Sequence, residues 1–391
     1  MHHASSDANV VILGAGFAGL PVARALAKHP SIHVTVVDPK RDFHFTPRLV
    51  DALGSRQVKP SWIKTNLEAL AKRVGFAFIH GRATTVSRSG RSVTVETTTG
   101  TTTLPYDILL IATGATTNWN NVPGAQEHGF PLKQEEDVDR IHAAVRSRCR
   151  DARNADPETQ RRLLSFAVVG GGPTGIESIF SLQRYIQNFL KQEVPELLGK
   201  ETLTLVQAAP QILMGFPHKV VNGTMEELRK HGIAVRVGEP ATNVTKDEMQ
   251  TSSGMNFPAS LIVWGGGIQP NVIPMEPEAG RDRSRYLSVD ATLRVDERIY
   301  AAGDGVAFQE HNRPIPKNAQ TALRMADSVA TNILRQLRGL SPVPFHYQSL
   351  GNLILLGETG FVDIGRFSIK TRFTSAIRHL FYALRHWQIV G

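Results

Sequence analysis

Hydrophobic positions along this chain fall into short apolar runs that end in glycine, separated by stretches of helical period. Residues 10–13 form an apolar strand that enters a glycine turn and then a helical stretch at 20–28, and residues 31–37 read as a second strand ending at Asp38. The order recurs at 165–169, followed by a helix from about 176 to 190 and a second strand at 202–207 that ends in Gln207. Between the two, residues 93–104 predict a hairpin with a threonine-rich tip, and residues 106–114 a buried parallel strand closing on Thr113 and Gly114. Residues 261–267, which include Gly266, and residues 298–305, which include Gly303 and Asp304, have the same form. A helix is expected over 319–337, and the polar, proline-bearing stretch 150–162 is expected to be a surface linker or insertion.

The glycines carry the chemistry. Gly14, Gly16 and Gly19 have the G-x-G-x-x-G spacing between a strand and a helix, and the acid Asp38 follows about 20 residues on. Such a turn lets backbone approach a pyrophosphate, which rests against the positive end of the helix, while the carboxylate accepts from ribose hydroxyls. Gly170, Gly172 and Gly175 repeat the spacing. Two such units imply two dinucleotides bound by one chain. Gln207 stands where an acid would favour NADH; a neutral amide can meet a hydroxyl or a 2′-phosphate, so use of both NADH and NADPH is expected.

Composition narrows the chemistry further. The 391 residues suffice for two or three domains, and 41% hydrophobic with 20% charged residues is ordinary globular usage. The one cysteine, Cys149, can form neither an intramolecular disulfide nor a CxxC pair, and the 14 histidines show no HExxH spacing. Lys and Arg exceed Asp and Glu to give +9, which draws the chain toward anionic partners. The first nine residues lack a basic, apolar export signal, and no apolar run approaches the roughly 20 residues of a spanning helix.

Taken in order, the two glycine turns, the strand ends at 106–114 and 261–267, and Ala302-Gly303-Asp304 resemble the flavoproteins with two dinucleotide-binding domains. The resemblance implies an α/β fold with two Rossmann-type domains, glutathione-reductase-like. FAD would lie in the first unit, NAD(P)H in the second, and Asp304 on the FAD ribityl chain or phosphates. Implied boundaries are 8–118 and 289–345 for the FAD domain, 119–288 for the NAD(P)H domain, and 346–391 for a C-terminal membrane-associating segment.

Having one cysteine sets the chain apart from the disulfide reductases and sulfide:quinone reductases of that superfamily. His44-Phe45-Thr46-Pro47, the run from Gly172 to Glu177, Asn318-Ala319-Gln320 and the stretch from Tyr347 to Gly357 resemble the type II NADH dehydrogenases, including their demethylphylloquinone reductase branch. The resemblance places Glu177 near nicotinamide and flavin, where it would orient the nicotinamide or relay a proton. It places Ala319 and Gln320 at the flavin edge and in an AQxxxQ quinone motif. The second glutamine of that motif is Arg324 here, which could pair with an anionic acceptor or stabilise a quinolate. A helix N-terminus at 319 would stabilise charge on the reduced flavin.

After Asp363 the chain has no acid, while Arg366, Lys370, Arg372, Arg378 and Arg385 supply cations. Ile377, Leu380, Phe381, Leu384 and Trp387 draw one apolar helical stripe. A basic amphipathic helix of this kind reads as an interfacial anchor on an anionic membrane surface. The expected protein is a non-pumping NAD(P)H:quinone oxidoreductase, peripheral on the cytoplasmic face of the inner membrane, or soluble and cytoplasmic if the tail packs on the body. A homodimer is compatible with so short an anchor. Two alternatives stay open: a soluble diaphorase or reductase of an acidic electron carrier, and a flavoprotein of the apoptosis-inducing-factor type. Nucleic acid is not an expected partner, because the arginine run at 140–153 has no aromatic residue.

Overall fold

The computed structural model describes residues 7–391 apart from 56, 57, 59 and 366; residues 1–6 of the polar leader and the tail cation Arg366 therefore lie outside the described residues. Helices, in chain order, are α1 (Gly19–Leu26), α2 (Leu49–Gly54), α3 (Leu67–Val74), α4 (Ala125–His128), α5 (Glu135–Asp151), α6 (Pro157–Leu163), α7 (Pro173–Glu193), α8 (His218–Lys230), α9 (Ala319–Leu337) and α10 (Thr374–Val390).

The first apolar run becomes the centre of a large sheet. Ala8–Leu13 pairs in parallel with Ile32–Asp38 on one side and with Ile108–Ile111 on the other, and Val10 and Ile12 have no exposed surface. Both faces are covered, which is why the run is continuously apolar rather than alternating. Leu20 and Leu26 of α1, Leu67 and Leu70 of α3, and Leu323 and Ile333 of α9 belong to the same core. Ile299–Ala301 extends one edge of the sheet, and Ala77–Ser87 with the threonine-rich hairpin Ser92–Thr97 and Gly100–Pro105 extends the other.

A second parallel sheet repeats the design. Its order is Gly129–Phe130, Leu261–Trp264, Ser165–Val169, Thr202–Gln207, Ala234–Val237. The chain enters and leaves it through the paired strands Ala115–Thr117 and Ile268–Pro270. Return to the first sheet comes at Met275–Glu276, which pairs with the far end of Ala77–Ser87, earlier than the expected boundary at 289. Two residues of strand carry no periodicity, so this crossing has no sequence signal. The stretch 150–162, expected as a linker, is mostly helical: Asp156 caps α6 by accepting from the N–H groups of Glu158 and Thr159, with Pro157 in the first turn.

The C-terminal region is more than a helical tail. Asn352–Leu356, Thr359–Ile364 and Phe367–Thr371 form an antiparallel sheet before α10. Phe361 of this sheet is buried against Gly223 of α8, where a Cβ would come within 2.5 Å of its ring. The end of α10 is held as well: Arg24 of α1 donates to the carbonyls of Trp387, Gln388 and Gly391 at 3.1, 2.8 and 2.7 Å, and Arg73 of α3 donates to that of Val390.

Candidate active site

Glycine turns sit at matching places in the two sheets. Gly14 has φ +105°, and a Cβ there would lie 2.3 Å from the Ala112 carbonyl oxygen; one on Gly19 would lie 1.8 Å from that of Gly14. Gly170 and Gly175 are constrained in the same way, with φ +106° at Gly170 and clashes of 2.2 and 1.8 Å with the Gly265 and Gly170 carbonyls. The middle glycines differ. A Cβ on Gly16 or on Gly172 would meet nothing within 4 Å. These two positions need no glycine for the fold, and they leave open space in front of the first turns of α1 and α7. Two open glycine turns against helix N-termini fit dinucleotide pyrophosphates.

The residues ending the second strands hold these turns. Asp38 accepts from the N–H groups of Ala15 at 2.7 Å and Lys40 at 2.8 Å, and burial raises its carboxyl above the ordinary range against the pull of those bonds. In the second unit the Gln207 Oε1 accepts from Gly171 N–H at 2.8 Å. Gln207 thus has a local duty that the sequence does not reveal, and its Nε2 reaches only the Gln211 carbonyl, at 3.4 Å.

Around Asp304 the ends of three first-sheet strands converge. A Cβ on Gly305 would lie 3.1 Å from the Gly114 carbonyl oxygen, and one on Gly303, where φ is +87°, 3.4 Å from Ala18 Cβ. Thr113 and Asn271 exchange two hydrogen bonds, Oγ1 to carbonyl at 3.0 Å and Nδ2 to carbonyl at 2.8 Å, tying the strand end to the crossing segment. Burial raises the Asp304 carboxyl, with Lys133 and Lys317 pulling it back. Lys317 also donates to the Val306 carbonyl at 2.6 Å and lies 3.8 Å from the Tyr286 ring centroid. Neither lysine belongs to a local motif, so neither was legible beforehand. At the head of α9, Ala319 is the first helical residue and Asn318 caps it, accepting from Thr321 N–H at 2.9 Å. In the second unit, Gly266 offers its carbonyl to Asn120 Nδ2 at 2.8 Å.

Glu177 lies just past the first turn of α7 and is buried. Its Oε1 accepts from Leu355 N–H at 3.0 Å, and its Oε2 is 3.1 Å from Arg378 NH1. Arg378 comes from α10 and also pairs with Asp51 of α2. These groups wall a cavity of about 260 Å³ that Arg48, Trp62, Arg184 and His379 also line. Gln320 is committed to the turn before the C-terminal sheet: it accepts from Leu350 N–H at 3.0 Å, with its Nε2 3.4 Å from the Gly351 carbonyl. Among the described residues the buried Arg324 Nε has no hydrogen-bond partner, and the arginine's charge acts on Asp327 and, from α10, Arg385.

The tail reverses the usual arrangement of an amphipathic helix. Arg378 is 1% exposed, and Tyr382 and Ile389 also turn inward, whereas Leu380 is 66% and Trp387 69% exposed. Phe45 of the His44-Phe45-Thr46-Pro47 segment packs on the Tyr382 and His386 rings. Two cations of the tail have partners on the body: Arg378 as above, in the interior, and Lys370, which donates to Glu227 at 2.7 Å while staying exposed. Neither pairing carried a sequence signal, because neither acid is near its cation in the chain. Cys149 is fully buried in α5, its thiol pushed up to about 12 by burial. Among the described residues, no group of side chains could hold a metal ion and no helix is long and apolar enough to cross a membrane.

Residues 8–326 match the family model described as pyridine nucleotide-disulphide oxidoreductase. The chain is 29% identical over 349 residues to an external alternative NAD(P)H-ubiquinone oxidoreductase of Arabidopsis thaliana mitochondria, a match that covers 84% of this chain and 59% of the relative. It thus spans about three fifths of the plant relatives' length. It is 26% identical to a type II NADH:quinone oxidoreductase of Staphylococcus aureus, over 89% of this chain and 87% of the relative. In fold it superposes on the NDH2 of Plasmodium falciparum solved with NADH, at a TM-score of 0.88 and 18% identity over 98% of this chain and 96% of the other.

Proposed function

The chain belongs to the pyridine nucleotide-disulphide oxidoreductase family, and from that premise we propose that it is an NAD(P)H:quinone oxidoreductase of the type II NADH dehydrogenase kind. The reaction is NAD(P)H + H⁺ + quinone → NAD(P)⁺ + quinol. FAD, when bound, supplies the hydride acceptor and the two-electron donor.

This chain's own residues position and stabilise. The cradles at Gly16 and Gly172 admit the two pyrophosphates against α1 and α7, and Asp38 takes the FAD ribose. Asp304, with Lys133 and Lys317 beside it, holds the ribityl and phosphate end. The N-terminus of α9 stabilises negative charge at the flavin edge. Glu177, its carboxyl raised by burial, is suited to take up and release a proton at Oε2. Disulfide chemistry is no alternative with a single buried cysteine.

One observation carries the reading: two glycine cradles with the same constraints, each open only at its middle glycine. The acceptor is argued from α10. Its outer face exposes Ile377, Leu380, Leu384 and Trp387, continued by Phe373, Phe367 and Ile369, next to the segment that carries Arg378 to Glu177. An apolar face beside the site suits peripheral attachment to a bilayer and an acceptor drawn from it. With Arg378 buried and Lys370 paired with Glu227, the anchor relies more on apolar area than on anionic lipid.

The test is turnover of purified protein with NADH and NADPH against a quinone analogue, with and without liposomes, alongside identification of the released flavin. Release of FAD, with quinone-dependent oxidation stimulated by liposomes, is expected. FAD with turnover only on soluble protein acceptors would replace the quinone by an electron-carrier protein; no bound flavin would end the reading.

A further inference from the structure

We propose that Arg378 is a positioning residue for Glu177: α10 inserts it into the body so that the Glu177 carboxyl group is held in place beside the cavity, with a cation against its Oε2. The inference rests on the functional reading just given, since it assigns Glu177 to the reaction's proton.

Geometry carries the argument. Arg378 is the largest of the fully buried side chains, on a helix whose neighbouring positions 377 and 380 face outward. Its guanidinium bridges two carboxylates from different parts of the chain, Glu177 of α7 at 3.1 Å and Asp51 of α2. Its CZ lies 5.4 Å from the Tyr382 ring centroid. A buried ion pair brings little net stability over an apolar residue of the same size, so stability alone does not account for a charge here.

Arrangement and charge point the same way. Arg378 and Glu177 line the same cavity, and among the described residues the buried Arg378 Nε and NH1 have no hydrogen-bond partner, so that NH1 meets Glu177 as an ion pair. The groups facing Glu177 balance. Arg48 lies 3.8 Å from Asp51 and donates to His379 Nδ1 at 2.6 Å; burial first, and then the two arginines, lower that imidazole's pKa, and burial raises the Tyr382 phenol. Two arginines thus meet two carboxylates, with the Leu355 N–H as a neutral donor on the remaining side. Arg184, further along α7, is turned to the Gly357 carbonyl and Glu358. Removing Arg378 leaves Glu177 with burial raising its pKa and no adjacent cation lowering it.

The experiment uses the flavin-loaded full chain as wild type, Arg378→Gln, Arg378→Lys, Glu177→Gln and the Glu177→Gln/Arg378→Gln double variant. Two readouts are taken: the pH profile of quinone reduction, and stability to urea between pH 5 and pH 8. Arg378→Gln is expected to lower kcat at neutral pH by about tenfold or more and to move the profile's acidic limb upward by about one unit or more, leaving the KM for NAD(P)H within about twofold. Arg378→Lys restores part of the profile. The stability arm reads the charge without turnover. A carboxyl whose folded pKa is raised weighs against the fold increasingly as pH climbs through the unfolded value toward the folded one. Arg378→Gln should therefore lose ground to wild type from pH 5 to pH 8, and Glu177→Gln should cancel that pH-dependent part.

A loss of stability that is equal at every pH, with an unmoved pH profile, would make Arg378 a packing residue and overturn the proposal. Absence of quinone turnover in wild type, with the pH-dependent coupling intact, would instead overturn the acceptor reading and leave the Arg378–Glu177 linkage supported.

Discussion

If the outer face of α10 enters the bilayer, replacing Leu380 and Leu384 by glutamine removes the transfer energy of two side chains while keeping good helix formers. They are 66% and 59% exposed, so between about half and two thirds of each side chain's transfer energy remains to be gained. Full burial of a leucine is worth about 1.5–3 kcal/mol, so each contributes about 1–2 kcal/mol and the pair about 2–4 kcal/mol. Liposome affinity should fall between roughly 30-fold and several hundred-fold. Neither side chain is buried in the folded protein, so stability should stay within about 0.5 kcal/mol. Co-sedimentation with vesicles across a range of lipid concentrations gives the affinity, and thermal melting checks the fold. Raising salt from 50 to 300 mM should cost much less than the double substitution, because Arg378 is paired inside the protein and the exposed Lys370 is already neutralised by Glu227. Undiminished vesicle binding by a folded Leu380→Gln/Leu384→Gln protein would refute the assignment of this face to the membrane. So would wild-type binding abolished by salt alone.

Other consequences are local. Gly16→Val should fold, since a Cβ there meets nothing, yet be purified with less than about a tenth of the wild-type flavin absorbance; Gly172→Val should keep its flavin and raise the KM for NAD(P)H by about tenfold or more. Gln207→Glu keeps an acceptor for Gly171 N–H, as Asp38 is for Ala15, and should shift the kcat/KM ratio toward NADH by about tenfold, measured with both nucleotides. Cys149 should react with a thiol reagent at pH 8 on the hour scale or slower in the native protein and within seconds to minutes once unfolded, given its burial and raised pKa.

What the sequence disclosed, and what it hid, follows from the range of the interactions. The glycine turns, the strands feeding them and the helix from Ala319 to Leu337 are announced by patterns a few residues long, and all are present where periodicity puts them. The return to the first sheet at Met275–Glu276 depends on a strand more than 180 residues earlier, and no local pattern marks it. The C-terminal sheet has a weak signal for a related reason: Asn352–Leu356 and Thr359–Ile364 are short and lack a clean apolar–polar alternation, and their pairing appears only in the folded chain. Glu177 is legible through the family resemblance of the run from Gly172 to Glu177, but its partner is not. Arg378 read as one more cation of a basic tail, and only the folded chain brings it across about 200 residues to that carboxylate. Gln207 was legible as the end of a strand, whereas its bond to Gly171 requires the turn to be closed.

The most direct measurement is anaerobic sequential-mixing stopped-flow on the full-length, FAD-loaded protein: reduce with NADH or NADPH, then mix with a menaquinone or ubiquinone analogue in liposomes, following flavin absorbance. Prompt reduction by the nucleotide, then reoxidation whose rate rises with quinone and falls in the Leu380→Gln/Leu384→Gln protein only when liposomes carry the quinone, is the predicted result. Prompt reduction with no quinone-dependent reoxidation would contradict the assignment of a membrane quinone as acceptor.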